Sequence, residues 1–221
     1  MVCGKMIKII YEDNHLLVIE KPVNMLTQGD ITGDTSVVIE LKKYLKEKYN
    51  KPGNVYLGLV HRLDRPVGGV MIFAKTSKCA KRLSSDFQNG KIKKTYFAVV
   101  IGDVSPVKGV FIDYLEKDNT KNIVKISEKC KFAKLEYEKL NFIDNMSLVK
   151  VDLITGRPHQ IRVQFASRGF PLYGDHRYNK NVKIGSQIAL WSYGIEFSHP
   201  ITKDKMKFVS KLPTTYPWNI F

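Results

Sequence analysis

Two runs of alternating residues, 131–140 (KFAKLEYEKL) and 147–153 (SLVKVDL), constrain the fold of this chain most. Ala133, Leu135 and Tyr137 share one face of the first run, and Val149, Val151 and Leu153 share one face of the second. A period of two is the signature of a half-buried strand. Phe142 to Met146 link the runs, so the pair reads as an antiparallel hairpin. Residues 6–11 (MIKIIY) and 16–20 (LLVIE), separated by Glu12-Asp13-Asn14, read as another. Lys21-Pro22 ends it, because proline cannot continue a central ladder. Further strands are expected at VMIFAK, at residues 94–101 (KTYFAVVI), and at ALWSYGIEF and KMKFVS near the end. Residues 106–130 read as irregular, with short strands at most.

Helices are fewer. Residues 36–49 place Val37, Val38, Leu41, Tyr44 and Leu45 on one face, with Ser36 as N-cap and Asn50, Pro52 and Gly53 as the stop. Residues 77–88 turn Ala80, Leu83 and Phe87 inward and end at Asn89-Gly90. Residues 158–168 are expected to be helical, with Pro158 near the first turn and Gly169 after the last. Many strands joined as hairpins and a few helices define an α+β class with a largely antiparallel sheet.

The 221 residues suit one large domain or two small ones. No apolar run approaches the length of a membrane span, and the opening MVCGKMIKIIYEDNH turns polar too soon for a signal peptide. Cys3, Cys79 and Cys130 are odd in number and dispersed, which argues for reduced thiols in a cytoplasmic protein. The net charge of +15 favours a polyanionic partner, most simply nucleic acid. A solvated lysine-rich surface would explain it too, since only seven of the 36 cationic side chains are arginine.

The sequence contains no Walker loop, GxGxxG, HExxH or GxSxG, and none of its five histidines stands at metal-ligand spacing. Two polar islands stand out within apolar surroundings. In His61-Arg62-Leu63-Asp64-Arg65-Pro66-Val67-Gly68-Gly69, arginines flank Asp64 and would hold its carboxylate ionised. Such a group serves as nucleophile or base, or simply as a loop salt bridge. In Thr155-Gly156-Arg157-Pro158-His159-Gln160-Ile161-Arg162, Arg162 falls one turn beyond His159 and can fork onto a carboxylate or phosphate. Helix-start residues with surface arginines would look the same. Tyr96, on a strand, is either core or a platform for a stacked base.

In this order, the islands resemble the RluA/RsuA-type pseudouridine synthases. HLLVIEKPVNMLTQ resembles the opening segment of that family, HRLDRPVGGVMIFAKT its catalytic motif and KKTYFAVVIG its tyrosine strand. LITGRPHQIRVQFASRGFPLYGDHRY resembles its arginine helix and the Gly-Asp segment that follows. Val67-Gly68 stands where many relatives have Thr-Ser or Val-Ser. The resemblance implies an α+β catalytic fold spanning residues 1–221 as a single domain, a mixed, mostly antiparallel sheet with a central cleft flanked by a few helices. It implies isomerisation of uridine to pseudouridine in ribosomal or transfer RNA, without metal or cofactor.

By the same resemblance, Asp64 matches the catalytic aspartate, which attacks the anomeric carbon or abstracts a sugar proton. Arg162 matches the arginine that pairs with that aspartate, Tyr96 the tyrosine that stacks on the uracil, and Arg62 the arginine that holds RNA around a flipped nucleotide. Leu153 and Ile154 are expected to wall the pocket, with Lys21 and His61 near the site. The catalytic segment begins within about ten residues of Met1, so a separate N-terminal RNA-binding domain is not expected. Target choice would then rest on residues 24–35 and 106–130. A monomer is expected, and no membrane contact. A non-catalytic RNA-binding or chaperone module is the competing reading; it would not need Asp64, Tyr96 and Arg162 together.

Overall fold

The structure, a computed structural model, describes residues 7–30, 33–183 and 185–221. Met6 at the start of the first expected strand, Cys3, and positions 31–32 of the loop suspected in target choice lie outside the described residues. The elements follow in the order β1 (Lys8–Glu12), β2 (Leu16–Lys21), α1 (Val37–Lys48), β3 (Gly58–Leu59), β4 (Gly68–Ala74), α2 (Ser77–Gln88), β5 (Lys93–Ile101), β6 (Lys108–Asp118), β7 (Ile123–Ser127), β8 (Lys131–Ile143), β9 (Met146–Leu153), α3 (Gln160–Ala166), β10 (Leu190–Ser198), β11 (Lys205–Val209) and a 3₁₀ turn at Trp218–Ile220. They form two compact units, one from the chain up to Ile92 with Gly194–Ser210, the other from Lys93–Tyr193 with Lys211–Phe221. The class is α+β.

In the first unit β2 pairs antiparallel with β1 on one side and β4 on the other, in a register that sets Lys21 opposite Gly69. All seven residues of β4 are buried, which explains a continuous apolar run instead of alternation. Val70 and Ile72 pack with Leu16, Val18, Ile195 and Phe197, and α2 adds Cys79 and Leu83. Ser36 and Thr76 cap α1 and α2, accepting from the backbone N–H three residues on. Glu12 ties the end of α1 to the first hairpin. It accepts from the hydroxyls of Tyr44 (2.7 Å) and Tyr49 (2.6 Å) and from the ammonium groups of Lys48 (2.8 Å) and Lys75 (2.7 Å).

In the second unit five strands run β5-β9-β8-β6-β7, each antiparallel to its neighbour. Tyr96 stands opposite Val151, which stands opposite Tyr137, so all three project to one face. On that face α3 places Phe165 against Phe111 and Tyr137 (ring centroids 5.0 and 5.6 Å) and Val163 among Leu115, Val124 and Ala133. The other face carries ion pairs such as Lys108–Glu138 and Lys150–Asp152, with Val110, Ile112, Tyr114 and Phe132 exposed among them.

Two sequence expectations need correction. Residues 106–130 are not irregular: β6 is eleven residues long and β7 five. Phe111 and Leu115 point inward on β6 while Val110, Ile112 and Tyr114 point outward, so both faces are apolar and no alternation shows. Pairing with β8 settles the strand. The third helix is shorter than 158–168. His159 precedes it at a φ of +50° and Gly169 follows at +83°, both left-handed, which confines it to Gln160–Ala166.

Candidate active site

The first unit holds Asp64 on the connection between β3 and β4, with its side chain half-buried. The backbone on both sides of it is fixed from beneath. Thr27 donates its hydroxyl to the Leu63 carbonyl at 2.8 Å. Lys21, fully buried, donates its ammonium to the carbonyls of Pro22 (3.1 Å), Arg65 (3.0 Å) and Val67 (2.7 Å). The Val67 N–H closes a turn onto the Asp64 carbonyl at 3.0 Å, and Gly69, at a φ of +114°, takes the chain into β4. Burying an ammonium is costly unless its donors are satisfied, and here backbone carbonyls satisfy it. Lys21 therefore braces the Asp64 loop. His61 accepts the Ile72 N–H on Nε2 at 2.9 Å, and its ring stacks on Phe87 at 4.8 Å. Arg62 is exposed, while Arg65 pairs with Asp34 at 2.8 Å near the surface.

The second unit holds Tyr96, Leu153 and Arg162. Tyr96 on β5 and Leu153 at the end of β9 are each 8% exposed, and both lie on the face that carries α3. Arg162, on α3, is buried and meets Asp175 through two parallel bonds, Nε to Oδ2 at 2.8 Å and a terminal nitrogen to Oδ1 at 2.7 Å. Asp175 also accepts from the backbone N–H groups of Arg177 and Tyr178. Gly174 admits this arrangement: its φ is +69°, and a Cβ there would sit 2.2 Å from the Gln187 carbonyl oxygen. The Tyr178 ring lies 5.3 Å from the Arg162 guanidinium. The Tyr178 hydroxyl accepts the Val124 N–H at 2.9 Å and meets His159 Nδ1 at 2.8 Å. Burial pushes the Tyr178 hydroxyl above its ordinary pKa.

The turn leading into α3 is set by Gln160. Its buried amide accepts from the Thr155 hydroxyl (2.7 Å) and the Arg157 N–H (3.0 Å) and donates to the Lys134 carbonyl (3.1 Å). This locks residues 155–160 and so fixes where α3 presents Arg162. Lys94 reaches the same turn, its ammonium 3.3 Å from the Thr155 carbonyl. Burial, helped by Arg157, pushes Lys94 down to about 8.

Thus Asp64, Lys21, His61 and Arg62 fall in one unit and Tyr96, Leu153 and Arg162 in the other. Sequence reasoning did not single out Asp175, Gln160, Tyr178, Thr27 or Lys94. The one available signal was the Gly174-Asp175 pair, whose glycine marks a constrained turn. Among the described residues, no cluster of three or more acidic, histidine or cysteine side chains is arranged to hold a metal, and no helix is long and apolar enough to cross a membrane.

The family described as RNA pseudouridylate synthase matches residues 15–167, and the chain belongs to that family. The chain is 32% identical over 199 residues to the uncharacterized RNA pseudouridine synthase YhcT of Bacillus subtilis, covering 89% of this chain and 65% of that protein. It is likewise 32% identical over 206 residues to the ribosomal large subunit pseudouridine synthase C of Vibrio vulnificus, covering 90% and 64%. The chain thus spans just under two thirds of the length of these relatives. The solved structure of human RNA pseudouridylate synthase domain containing 4 shares the fold, with a TM-score of 0.77 at 23% identity over 93% of this chain and 88% of that one.

Proposed function

We propose that this chain isomerises uridine to pseudouridine in RNA, and that its substrate is the RNA of the large ribosomal subunit. The observation that carries the reading is the family match, whose span holds Asp64, Tyr96, Leu153 and Arg162 together. The names of relatives such as the ribosomal large subunit pseudouridine synthases C and D support this choice of substrate. The net charge of +15 suits a ligand whose phosphates supply most of the affinity.

In the proposed reaction the bond from the ribose to N1 breaks, the uracil turns, and C5 bonds to the ribose. C5 then loses its proton and N1 gains one, so the product is an isomer of the substrate. Asp64 supplies the carboxylate, adding to the anomeric carbon or removing a sugar proton. A loop braced by Lys21 and Thr27 holds that carboxylate without a reorganisation cost at the moment of reaction. Tyr96 stacks on the uracil, Leu153 walls the pocket, and Arg162, fixed by Asp175, supplies a stationary positive charge. A base inside stacked RNA cannot reach these groups, so the uridine flips out of the helix. Arg62, exposed, holds the RNA around it.

The test is release of tritium from C5-labelled uracil into water, with large-subunit ribosomal and transfer RNA transcripts offered separately. The expected result is release from the ribosomal transcript, abolished in Asp64→Asn. Salt-sensitive binding without release from a total cellular RNA pool would overturn the reading and favour a non-catalytic RNA-binding module.

A further inference from the structure

Lys94 and Arg157 converge on one turn of the second unit, and neither has a carboxylate partner among the described residues. Arg157 is anchored by Nε on the Phe132 carbonyl at 2.8 Å, and its backbone N–H is held by Gln160. Lys94, half-buried, gives its ammonium only the Thr155 carbonyl, at 3.3 Å. Gly156, next to Arg157 in the chain, is exposed, and a Cβ there would come 3.6 Å from the Lys94 ammonium. Elsewhere in this unit, withdrawn cations meet carboxylates: Arg162 meets Asp175, Arg168 meets Asp113 and Lys139 meets Asp103. Burial penalises the charged Lys94 ammonium, and the positive charge of Arg157 opposes it further. The lowering of Lys94 to about 8 is the expected signature.

We propose that Lys94 and Arg157 form a binding site for an RNA phosphate, the one next to the nucleotide whose base meets Tyr96. A phosphate diester would relieve both penalties, taking the arginine fork on two oxygens and the lysine as a point charge. The exposed Gly156 leaves the approach clear. Lys94 and Tyr96 are two residues apart on β5 and so lie on one face, about 6.6 Å apart along the strand. That matches one nucleotide step along an extended chain. The site rests on the RNA reading above and adds to it which phosphate fixes the register of the flipped nucleotide.

The experiment uses the intact protein with 13C-labelled lysine and follows the Lys94 ε-carbon through a pH titration by NMR, assigned from its loss in Lys94→Arg. Single-stranded hexauridylate is the probe, and the same oligomer with an uncharged methylphosphonate backbone is the control. Hexauridylate is expected to raise the Lys94 midpoint by about one pH unit or more, and the uncharged oligomer to leave it in place. In Lys94→Gln and in Arg157→Gln, the slope of log affinity against log salt is expected to fall by about 0.7. A midpoint unmoved by hexauridylate, or slopes unchanged in both variants, would overturn the site. Tritium release with an unmoved Lys94 would sink the phosphate site and leave the isomerase. A moved Lys94 without release from any RNA would do the reverse.

Discussion

The guanidinium of Arg162 and the carboxylate of Asp175 meet in a bidentate pair at 2.8 and 2.7 Å, with the Asp175 side chain fully buried. Such a pair is a poor source of net stability, because desolvating both charges offsets their attraction, but losing one member strands the other. Asp175→Asn is therefore expected to destabilise the protein by about 3–5 kcal/mol. The double variant Arg162→Met/Asp175→Leu is expected to regain most of that in urea unfolding while remaining inactive in tritium release. Recovery of stability without turnover would separate the functional demand for a fixed cation from the structural one. Equal destabilisation in the single and double variants would refute this account of the pair.

Gly174 makes that pair possible. Its φ of +69°, and the 2.2 Å that would separate a Cβ from the Gln187 oxygen, exclude any side chain. Gly174→Ala is expected to cost on the order of 2–3 kcal/mol and to displace Asp175 from Arg162. Urea unfolding reads the first effect and turnover the second. Gly169→Ala, with a similar φ of +83° but nothing within 4 Å of the added carbon, is expected to cost less. An equal cost at both positions would show that backbone strain, not the Gln187 contact, decides.

These contacts also show what could be read from the chain and what could not. The alternating runs that became β8 and β9 were legible because one face of each is buried and the other wet. Strand β6 was not, because Val110, Ile112 and Tyr114 line its open face while Phe111 and Leu115 line its core. Asp64, Tyr96 and Arg162 were visible as polar or aromatic residues in unusual company. Asp175 was not: Gly174 marks a constrained turn before it, but the sequence does not state that the chain folds back onto Arg162, 13 positions earlier. Lys21 is expected from the sequence only at the end of a strand and near the site, and the register opposite Gly69 carries its ammonium under the Asp64 loop.

The Lys21 brace leads to a kinetic prediction. Lys21→Met keeps the stem's apolar volume but leaves the Arg65 and Val67 carbonyls without their donor. Each buried acceptor so abandoned costs about 1–3 kcal/mol. Because Lys21 is itself fully buried and acts on Asp64 only through the loop backbone, kcat for tritium release is expected to fall by about tenfold or more, with KM little changed. A rise in KM at constant kcat would instead make Lys21 an RNA contact.

Glu12 sets the acid limit of the first unit. Burial alone would raise its carboxyl pKa, but hydrogen bonds from Lys48, Lys75, Tyr49 and Tyr44 outweigh burial and hold it at about 2, against 4.5 for an ordinary glutamate. A carboxyl group lowered in the folded state contributes stability above its unfolded pKa and loses it as pH falls towards the folded one. The contribution, up to about 3 kcal/mol, is therefore present at pH 7 and erodes between about pH 5 and pH 2. Glu12→Gln is expected to be less stable than the wild type at pH 7, and the gap should close progressively below pH 4.5. Urea unfolding of both proteins at pH 7, 4 and 3 measures it. A gap that stays constant across this range would mean that the two tyrosine hydroxyls and the packing, not the carboxylate charge, hold α1 to the first hairpin.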